Sequence, residues 1–468
     1  MHPQLSKMKR NVYFVGAGGI GMANLERYCM ATGHVVAGYD RVSSELSSEL
    51  EAEGAHIIYT DDTELIPAEM RDPDNTLVVY TPAVPESNRI LSYFRAGGFE
   101  VVKRAALLGK ITHTGKGMCV AGSHGKTTTC SMLANIMRMA PQGCNAFLGG
   151  VLRNTGSNLV LCPGSEYSVI EADEYDRSFH HLRPWLAVVT STDPDHLDIY
   201  GDPAHYTEAF EIFTSLIKPD GYLLLHGGLT LTPRADKSVC VLTYWGKAAE
   251  PPVPVDWRGS DIRLQGDHLL FDLTGPGVEM KDVELGTPIE INVDNAVAAA
   301  AAALLAGAPE SAVREGLRTF QGARRRFEFH VRPGQGRAIL IDDYAHSPNE
   351  IRASIASVRR LFPGHRLTVI FQPHLYTRTR DFAAGFADAL SGADHVILPE
   401  IYPAREEPIP GVDSALILRQ IRNAEKELCP RADLADKVKN SNFDILMTLG
   451  AADLDRLLPE FTRLLTES

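Results

Sequence analysis

The stretch Gly122-Ser123-His124-Gly125-Lys126-Thr127-Thr128 decides the fold class, because it joins an apolar run to a helical pattern through a loop with two glycines. The apolar run, residues 118–121, is predicted to be a buried strand. In such a loop, backbone N–H groups can approach a phosphate, Lys126 can reach β- and γ-phosphates, and Thr127 can place a hydroxyl on Mg²⁺. The standard phosphate-loop pattern would have its first glycine at Val120, so this loop is shorter. The alternative is an ordinary strand–helix turn with a solvated lysine.

A second glycine-rich loop lies near the amino terminus. Gly16-Ala17-Gly18-Gly19-Ile20-Gly21 follows a predicted strand at 11–15, and Asp40 ends another at 35–39. This is the pattern of a dinucleotide fold, with the acid on the ribose. The glycines would allow any diphosphate to approach the helix N-terminus, including that of a UDP-sugar. A glycine turn kept only for tight helix–strand packing is the alternative.

Acidic residues follow two further predicted strands. Glu171 lies in Ile170-Glu171-Ala172-Asp173-Glu174, after the strand at 167–170, and His196 lies in Asp193-Pro194-Asp195-His196, after the strand at 186–190. Both strand ends should face one crevice, where a carboxylate and an imidazole could hold Mg²⁺. Isolated acidic clusters are more often solvated turns. The nearby phosphate loop favours the metal site, and two phosphate loops indicate two nucleotides, the second being ATP.

Short apolar runs alternate with helix-length segments almost throughout, which is typical of βαβ units and parallel sheets. The chain of 468 residues is therefore predicted to be α/β, with three domains built on mostly parallel sheets flanked by helices. The terminal domains are expected to be Rossmann-like and the central one ATPase-like. Residues 261–290 are predicted to add short antiparallel strands, and 295–306 an alanine-rich helix. The predicted domains are 1–112, 113–330 and 331–468.

Composition excludes several classes of protein. The net charge of −13 disfavours binding to nucleic acid. The seven cysteines lack metal-type spacing, which is typical of reduced thiols in a cytoplasmic protein without structural zinc. No signal peptide is visible, and the longest apolar run, 296–308, is too short to cross a membrane.

In this order, the segments GSHGKTT, EADE, DHLDIY, NVDNA, RRF, DDYAH and FQPHLYTRT resemble the Mur ligases. The similarity runs from the first glycine loop to Leu449-Gly450-Ala451, over nearly the whole chain. The resemblance implies a UDP-binding domain, a central ATPase domain and a domain that brings an amino acid. It implies that ATP phosphorylates the lactyl carboxylate of UDP-N-acetylmuramate, and that L-alanine then attacks the acyl phosphate, in peptidoglycan synthesis.

Together with the motifs above, the resemblance assigns four groups of residues. The UDP-sugar contacts are Gly16, Gly18, Gly19, Ile20, Gly21, Asp40 and Thr81. The ATP contacts are Gly122, Ser123, His124, Gly125, Lys126, Thr127, Thr128, Asn292, Asn295, Arg326 and Asp343. The amino-acid contacts are Tyr344, His374 and Arg378. The catalytic residues are Lys126, Glu171, His196 and Arg326, with two Mg²⁺ ions held by Thr127, Glu171 and His196.

Several alternatives remain open at this point. Asn295 could be a helix N-cap, and Arg326 could pair across a hinge. The sequence departs from the commoner family pattern at Leu375, where arginine is usual, and at Ser347, where a second histidine is frequent. A related ligase that attaches a whole tripeptide to the same nucleotide sugar is one rival function. The others are a nicotinamide dehydrogenase, which would leave Lys126 unexplained, and a catalytically silent regulator. A monomer or weak homodimer is expected.

Overall fold

The structure is a computed structural model that describes residues 9–81, 84–194, 197–265, 268–404, 406–422 and 424–467. The chain forms two compact units. The first runs to Pro288 and resumes over Asn292–Gln321, and the second comprises Ile289–Ile291 and the chain from Gly322 onward. Each unit is described by itself below.

A five-stranded parallel sheet opens the first unit. Its elements are β1 (Asn11–Val15), α1 (Ile20–Ala31), β2 (Val35–Tyr39), α2 (Glu45–Glu53), β3 (His56–Ile58), β4 (Thr76–Tyr80), α3 (Arg89–Ala96), β5 (Glu100–Lys103) and α4 (Arg104–Thr114). The strand order is β3-β2-β1-β4-β5. The order reverses between β1 and β4, so the loop after β1 lies where open α/β sheets bind ligands.

A ten-stranded sheet forms the rest of this unit. Its first elements are β6 (Lys116–Ala121), α5 (Lys126–Met139), β7 (Asn145–Leu152), β8 (Ser157–Val160), β9 (Tyr167–Glu171), β10 (Leu186–Val189), α6 (Leu197–Tyr200), α7 (Pro203–Ser215), β11 (Tyr222–His226) and β12 (Cys240–Trp245). Strand β6 lies between β9 and β10 and runs parallel to both. The segments that follow these three strands therefore meet at one edge of the sheet.

Antiparallel strands extend this sheet, followed by two helices. They are β13 (Trp257–Gln265), β14 (His268–Gly275), β15 (Val278–Leu285), α8 (Ile291–Leu305) and α9 (Glu310–Arg318). The full order is β15-β14-β13-β12-β11-β10-β6-β9-β7-β8. The alanines at 298–303 of α8 are completely buried, because their small side chains let the helix pack closely in the core.

A six-stranded sheet forms the second unit. Its elements are β16 (Glu328–Val331), β17 (Ile339–Asp343), α10 (Pro348–Leu361), β18 (Leu367–Phe371), α11 (Tyr376–Leu390), β19 (His395–Leu398), α12 (Ser414–Leu418), β20 (Glu425–Leu428), α13 (Leu434–Asn440), β21 (Ile445–Leu449) and α14 (Leu458–Thr466). The order is β16-β17-β21-β18-β19-β20, and only the β16–β17 pair is antiparallel. The segments after β17 and β18 flank the end of β21.

The predicted fold class, α/β with three mostly parallel sheets flanked by helices, is confirmed. The helix predicted at 295–306 begins earlier, at Ile291, so Asn295 lies in its second turn and is not an N-cap. The domain boundaries near 112 and 330 stay predictions. Among the described residues, no helix is both long and apolar enough to span a membrane.

Candidate active site

The loop between β6 and α5 requires both of its glycines. Gly122 and Gly125 have φ of +141° and +84°, a region that other residues rarely adopt. A Cβ at Gly122 would overlap the Thr190 hydroxyl, and one at Gly125 would lie 2.7 Å from Asn295 Oδ1. The loop is thus packed against the segment after β10 and against α8.

Hydrogen bonds from the segment after β10 hold the loop in shape. Ser123 Oγ donates to the Asp193 carbonyl at 2.6 Å, and the His124 N–H donates to Ser191 Oγ at 2.7 Å. The Thr190 hydroxyl donates to the Ala121 carbonyl at 3.2 Å. Thr128 is half-buried in the first turn of α5. The helix therefore begins at a loop whose backbone is fixed before any ligand binds.

Lys126 is held inside this loop by an ion pair. Its Nζ lies 2.8 Å from both carboxylate oxygens of Glu174 and donates to the Gly122 carbonyl at 2.5 Å. The Glu174 side chain is 2% exposed and that of Lys126 is 14% exposed. Burial raises the pKa of Glu174, and the charge of Lys126 opposes that rise. Glu174 is the last residue of the EADE segment, and the sequence pattern assigns it no role.

Thr127 and Glu171 offer the two oxygen donors expected of a magnesium site. The Thr127 hydroxyl donates to Glu171 Oε1 at 2.9 Å, and the Gly149 N–H donates to Oε2 at 2.9 Å. A Cβ at Gly149 would overlap the Glu171 carboxylate. A hydroxyl, a carboxylate and substrate phosphates suit Mg²⁺, which keeps several waters. These residues therefore fit the ion.

The third predicted ligand, His196, lies outside the described residues. Within the part of the chain that the structure describes, no group of three or more His, Cys, Asp or Glu side chains could hold a metal. The structure thus brings together Thr127 and Glu171, and the role of His196 stays a prediction.

Asn292 and Asn295 connect α8 to the phosphate loop. Asn295 Nδ2 donates to Asn292 Oδ1 at 3.3 Å, and Asn295 Oδ1 accepts from the Thr129 hydroxyl at 3.2 Å. Asn292 Nδ2 donates to the Thr287 hydroxyl at 3.2 Å. Both predicted ATP residues thus belong to one polar network beside Gly125.

The Asp40 carboxylate lies against the glycine loop that follows β1. The Gly18 N–H donates to Asp40 Oδ2 at 2.7 Å, where the sequence pattern had suggested a ribose contact for Asp40. Gly16 has φ +92°, and a Cβ there would overlap the Thr81 side chain. Gly19 precedes α1, which begins at Ile20. The structure therefore brings the predicted UDP-sugar residues together.

A cleft of about 140 Å³ lies between the end of this loop, at Gly21, and the end of β9, at Glu171. Gly21 and Arg104 line it on one side, and Gly149 and Glu171 line it on the other. A Cβ at Gly21 would lie 2.5 Å from a guanidinium nitrogen of Arg104. Within the first unit, one cleft therefore has a glycine-loop helix, a cation and the carboxylate predicted to bind Mg²⁺ in its walls.

The arginines of the RRF segment have different roles in the second unit. The Arg325 guanidinium donates to Asp342 and to the carbonyls of Gly450 and Ala452 at 3.2, 2.7 and 2.9 Å, so it braces the sheet end. Arg326 lies over the Tyr344 ring at 5.1 Å from its centroid. Tyr344, predicted to contact the amino acid, thus supports the arginine predicted to contact phosphate.

His374 and Arg378 lie together at the end of β18. The His374 ring stacks on Tyr402 at 5.9 Å between centroids. Burial lowers the pKa of His374 to about 4, and the positive charge of Arg378 adds to the effect. The imidazole is therefore neutral at physiological pH. Leu375, which departs from the commoner family pattern, has a strained backbone with φ +70°. Its N–H donates to the Tyr402 carbonyl at 3.0 Å.

Comparisons with known proteins find one family along most of the chain. Family models described as "Mur ligase family, catalytic domain", "Mur ligase middle domain" and "Mur ligase, glutamate ligase domain" match residues 11–116, 120–303 and 325–451. A UDP-N-acetylmuramate–L-alanine ligase of Parabacteroides distasonis is 53% identical over 447 residues, 96% of this chain and 95% of that protein. The chain belongs to the Mur ligase family. A ligase of the same name from Phocaeicola vulgatus is 48% identical over 459 residues, 98% of each chain.

Solved structures of Mur ligases share the fold. A UDP-N-acetylmuramate–alanine ligase of Thermotoga maritima matches with a TM-score of 0.76 and 25% identity, over 97% of this chain and 98% of that one. A murein peptide ligase of Psychrobacter arcticus matches with a TM-score of 0.64 and 21% identity, over 97% of this chain and 99% of that one. The second likeness concerns the fold alone.

Asp343 of this Mur ligase is held at a cost to stability. It is buried and accepts a hydrogen bond from the Ser354 hydroxyl. Burial raises its pKa from 3.8 to about 6; the hydrogen bond from Ser354 and the charge of Arg326 oppose the rise, and Glu350 and Asp342 add to it. The folded state binds this proton more tightly than the unfolded state does. Protonation of Asp343 therefore stabilises the folded protein fully below pH 3.8, and this stabilisation is lost as pH rises through about 6.

We therefore expect the free energy of unfolding of wild type to fall, relative to that of Asp343→Asn, by on the order of 1 kcal/mol between pH 5 and pH 7. Little further decrease is expected above pH 7. Urea unfolding of both proteins at pH 5, 6, 7 and 8 measures the difference. Parallel pH dependences in the two proteins would show that the carboxyl titrates normally.

Proposed function

We propose that this Mur ligase joins L-alanine to UDP-N-acetylmuramate at the expense of ATP, through an acyl phosphate, as a cytoplasmic step of peptidoglycan synthesis. Relatives at about half identity over nearly the whole chain carry this name. The cleft that runs from Gly21 to Glu171 carries the proposal. A nucleotide sugar held by its diphosphate at α1 can extend its carboxylate along this cleft toward the phosphate loop.

The chemistry explains the charges in the phosphate loop. A carboxylate is a poor electrophile, and it is repelled by the γ-phosphate that it must attack. Lys126 offsets charge on the transferred phosphoryl group, and the N–H groups at the start of α5 bind phosphate oxygens. In this proposal Thr127, Glu171 and His196 would hold Mg²⁺, which would supply further positive charge to offset that of the two anions. The cleft orients the carboxylate.

The second step requires an amine without its proton. In this proposal Arg378 binds the carboxylate of L-alanine through charge-assisted hydrogen bonds. His374, being neutral and beside Arg378, accepts a hydrogen bond from the amine without adding a positive charge. Arg326 and Asp343 are proposed to bind the ATP phosphates and ribose, with Tyr344 supporting Arg326.

A panel of ADP-release assays tests the function. With UDP-N-acetylmuramate and ATP present, kcat/KM for L-alanine is expected to exceed that for glycine by about tenfold or more, because glycine lacks the methyl group. L-Serine and the L-alanyl-D-glutamyl-diaminopimelate tripeptide complete the panel. Omitting either the nucleotide sugar or the amino acid should abolish ADP release. Faster turnover with the tripeptide would identify a recycling ligase instead.

A further inference from the structure

Glu174 combines three properties that the reaction described above does not use. Its carboxylate is almost completely buried, it contacts Lys126 through both oxygens at 2.8 Å, and it lies three residues beyond Glu171. A buried carboxylate is costly unless a positive charge compensates it. Lys126 provides that charge, so each group stabilises the other inside the protein.

Contacts of its backbone and of the following turn hold Glu174 in this position. The Tyr200 hydroxyl donates to the Glu174 carbonyl at 2.5 Å. The next turn contains two residues with positive φ, Asp176 at 51° and Arg177 at 54°. The Arg177 guanidinium lies 4.9 Å from the Tyr200 ring centroid. Strained backbone of this kind persists only where the surroundings enforce it.

The contacts of Tyr200 lead back to the phosphate loop. Its ring packs against Tyr206 with centroids 4.9 Å apart. The Tyr206 hydroxyl lies 2.9 Å from Ser123 Oγ. A connected set of side chains thus runs from Ser123 through both tyrosines to Glu174 and closes on Lys126. The position of the Glu174 carboxylate is therefore tied to the shape of the loop.

We propose that Glu174 is a positioning residue that holds Lys126 over the loop as an internal counter-ion, and that nucleotide phosphate must displace it. This inference rests on the proposed ATP site, and it does not depend on which amino acid is ligated. Before ATP binds, the pair keeps the ammonium group at the phosphate site. When ATP binds, phosphate and Glu174 compete for the same charge.

Removing the competing charge should strengthen ATP binding. With Mg²⁺ present and UDP-N-acetylmuramate omitted, the Kd of Glu174→Gln for ATP is expected to be about tenfold lower than that of wild type, the size of one charge-assisted hydrogen bond. The KM for ATP should fall in parallel, and kcat should not rise. Glu174→Asp keeps the charge on a shorter side chain and should shift the Kd in the same direction by less, so the test survives if Glu174→Gln does not fold.

A double-mutant cycle separates this role from a structural one. If Glu174 acts through Lys126, Glu174→Gln should change the Kd by less than about twofold in a Lys126→Ala background. The control is Glu166→Gln, which removes the partner of Lys116 on the surface of the same unit and should leave the Kd unchanged. Equal effects of Glu174→Gln in both backgrounds, or no tightening in wild type, would overturn the inference. Failure of wild type itself to bind ATP would overturn the proposed function as well.

Discussion

Lys126→Ala is expected to lower kcat for ADP release by a hundredfold to a thousandfold or more, while the affinity for UDP-N-acetylmuramate stays within about twofold. The variant removes the cation that the phosphate loop presents to the transferred phosphoryl group. The nucleotide sugar is assigned to the other glycine loop, where Gly18 contacts Asp40, so its binding should not depend on Lys126. Steady-state ADP release and calorimetric titration with the nucleotide sugar measure the two effects.

Lys116→Ala is the matched control for this experiment. Lys116 begins the strand that leads to the phosphate loop, and it also forms an ion pair with a glutamate, Glu166, at 2.8 Å. It lies at the opposite end of that strand from Lys126, so its loss should leave kcat within about twofold. If Lys126→Ala retained the wild-type rate, the phosphate loop would be wrongly assigned.

Gly18→Val is expected to weaken binding of the UDP-sugar and to leave ATP binding unchanged. A Cβ at Gly18 would lie 3.0 Å from Asp40 Oδ2, so the branched side chain forces the loop away from Asp40 and blocks the approach of a diphosphate. We expect the Kd for UDP-N-acetylmuramate to rise about a hundredfold and the Kd for ATP to stay near that of wild type. Calorimetric titration with each nucleotide measures both constants.

Gly164→Val is the comparison for Gly18→Val. A Cβ at Gly164 meets nothing within 4 Å, so this variant carries the same added side chain without the steric conflict. Loss of ATP affinity together with UDP-sugar affinity in Gly18→Val alone would mean that the two loops serve one ligand. The proposed two-nucleotide mechanism would then fail.

Much of the fold could be predicted because its determinants are local. The strands at 11–15, 35–39 and 367–371 are mostly apolar runs that are followed by Gly16, Asp40 and Gln372-Pro373, and the structure places strands there. The beginning of α8 was predicted four residues too late, because Asn295 has the side chain of an N-cap. In the structure that side chain contacts Thr129 instead, which no local pattern reveals.

The sequence also singles out the motif residues of the candidate site, but it does not reveal the residues that they contact. Lys126 and Glu171 stand in recognisable patterns, whereas Gly149 is required only because the Glu171 carboxylate occupies the space of its missing side chain. Arg104 reaches the first glycine loop from a helix more than 80 residues away in sequence. Such contacts depend on how strands are ordered in the sheets, which a single sequence does not encode in any short segment.

The contact between Gly18 and Asp40 and the contact between Lys126 and Glu174 have a shared consequence for selectivity. Small anions such as inorganic phosphate or chloride are abundant in cells, and they could otherwise occupy the two loops proposed to bind phosphate. A small anion that interacts only through its charge binds weakly, because it must first displace the carboxylate that already contacts the loop. A whole nucleotide also makes contacts through its base, its sugar and further oxygens, so both loops would favour a nucleotide over a small anion.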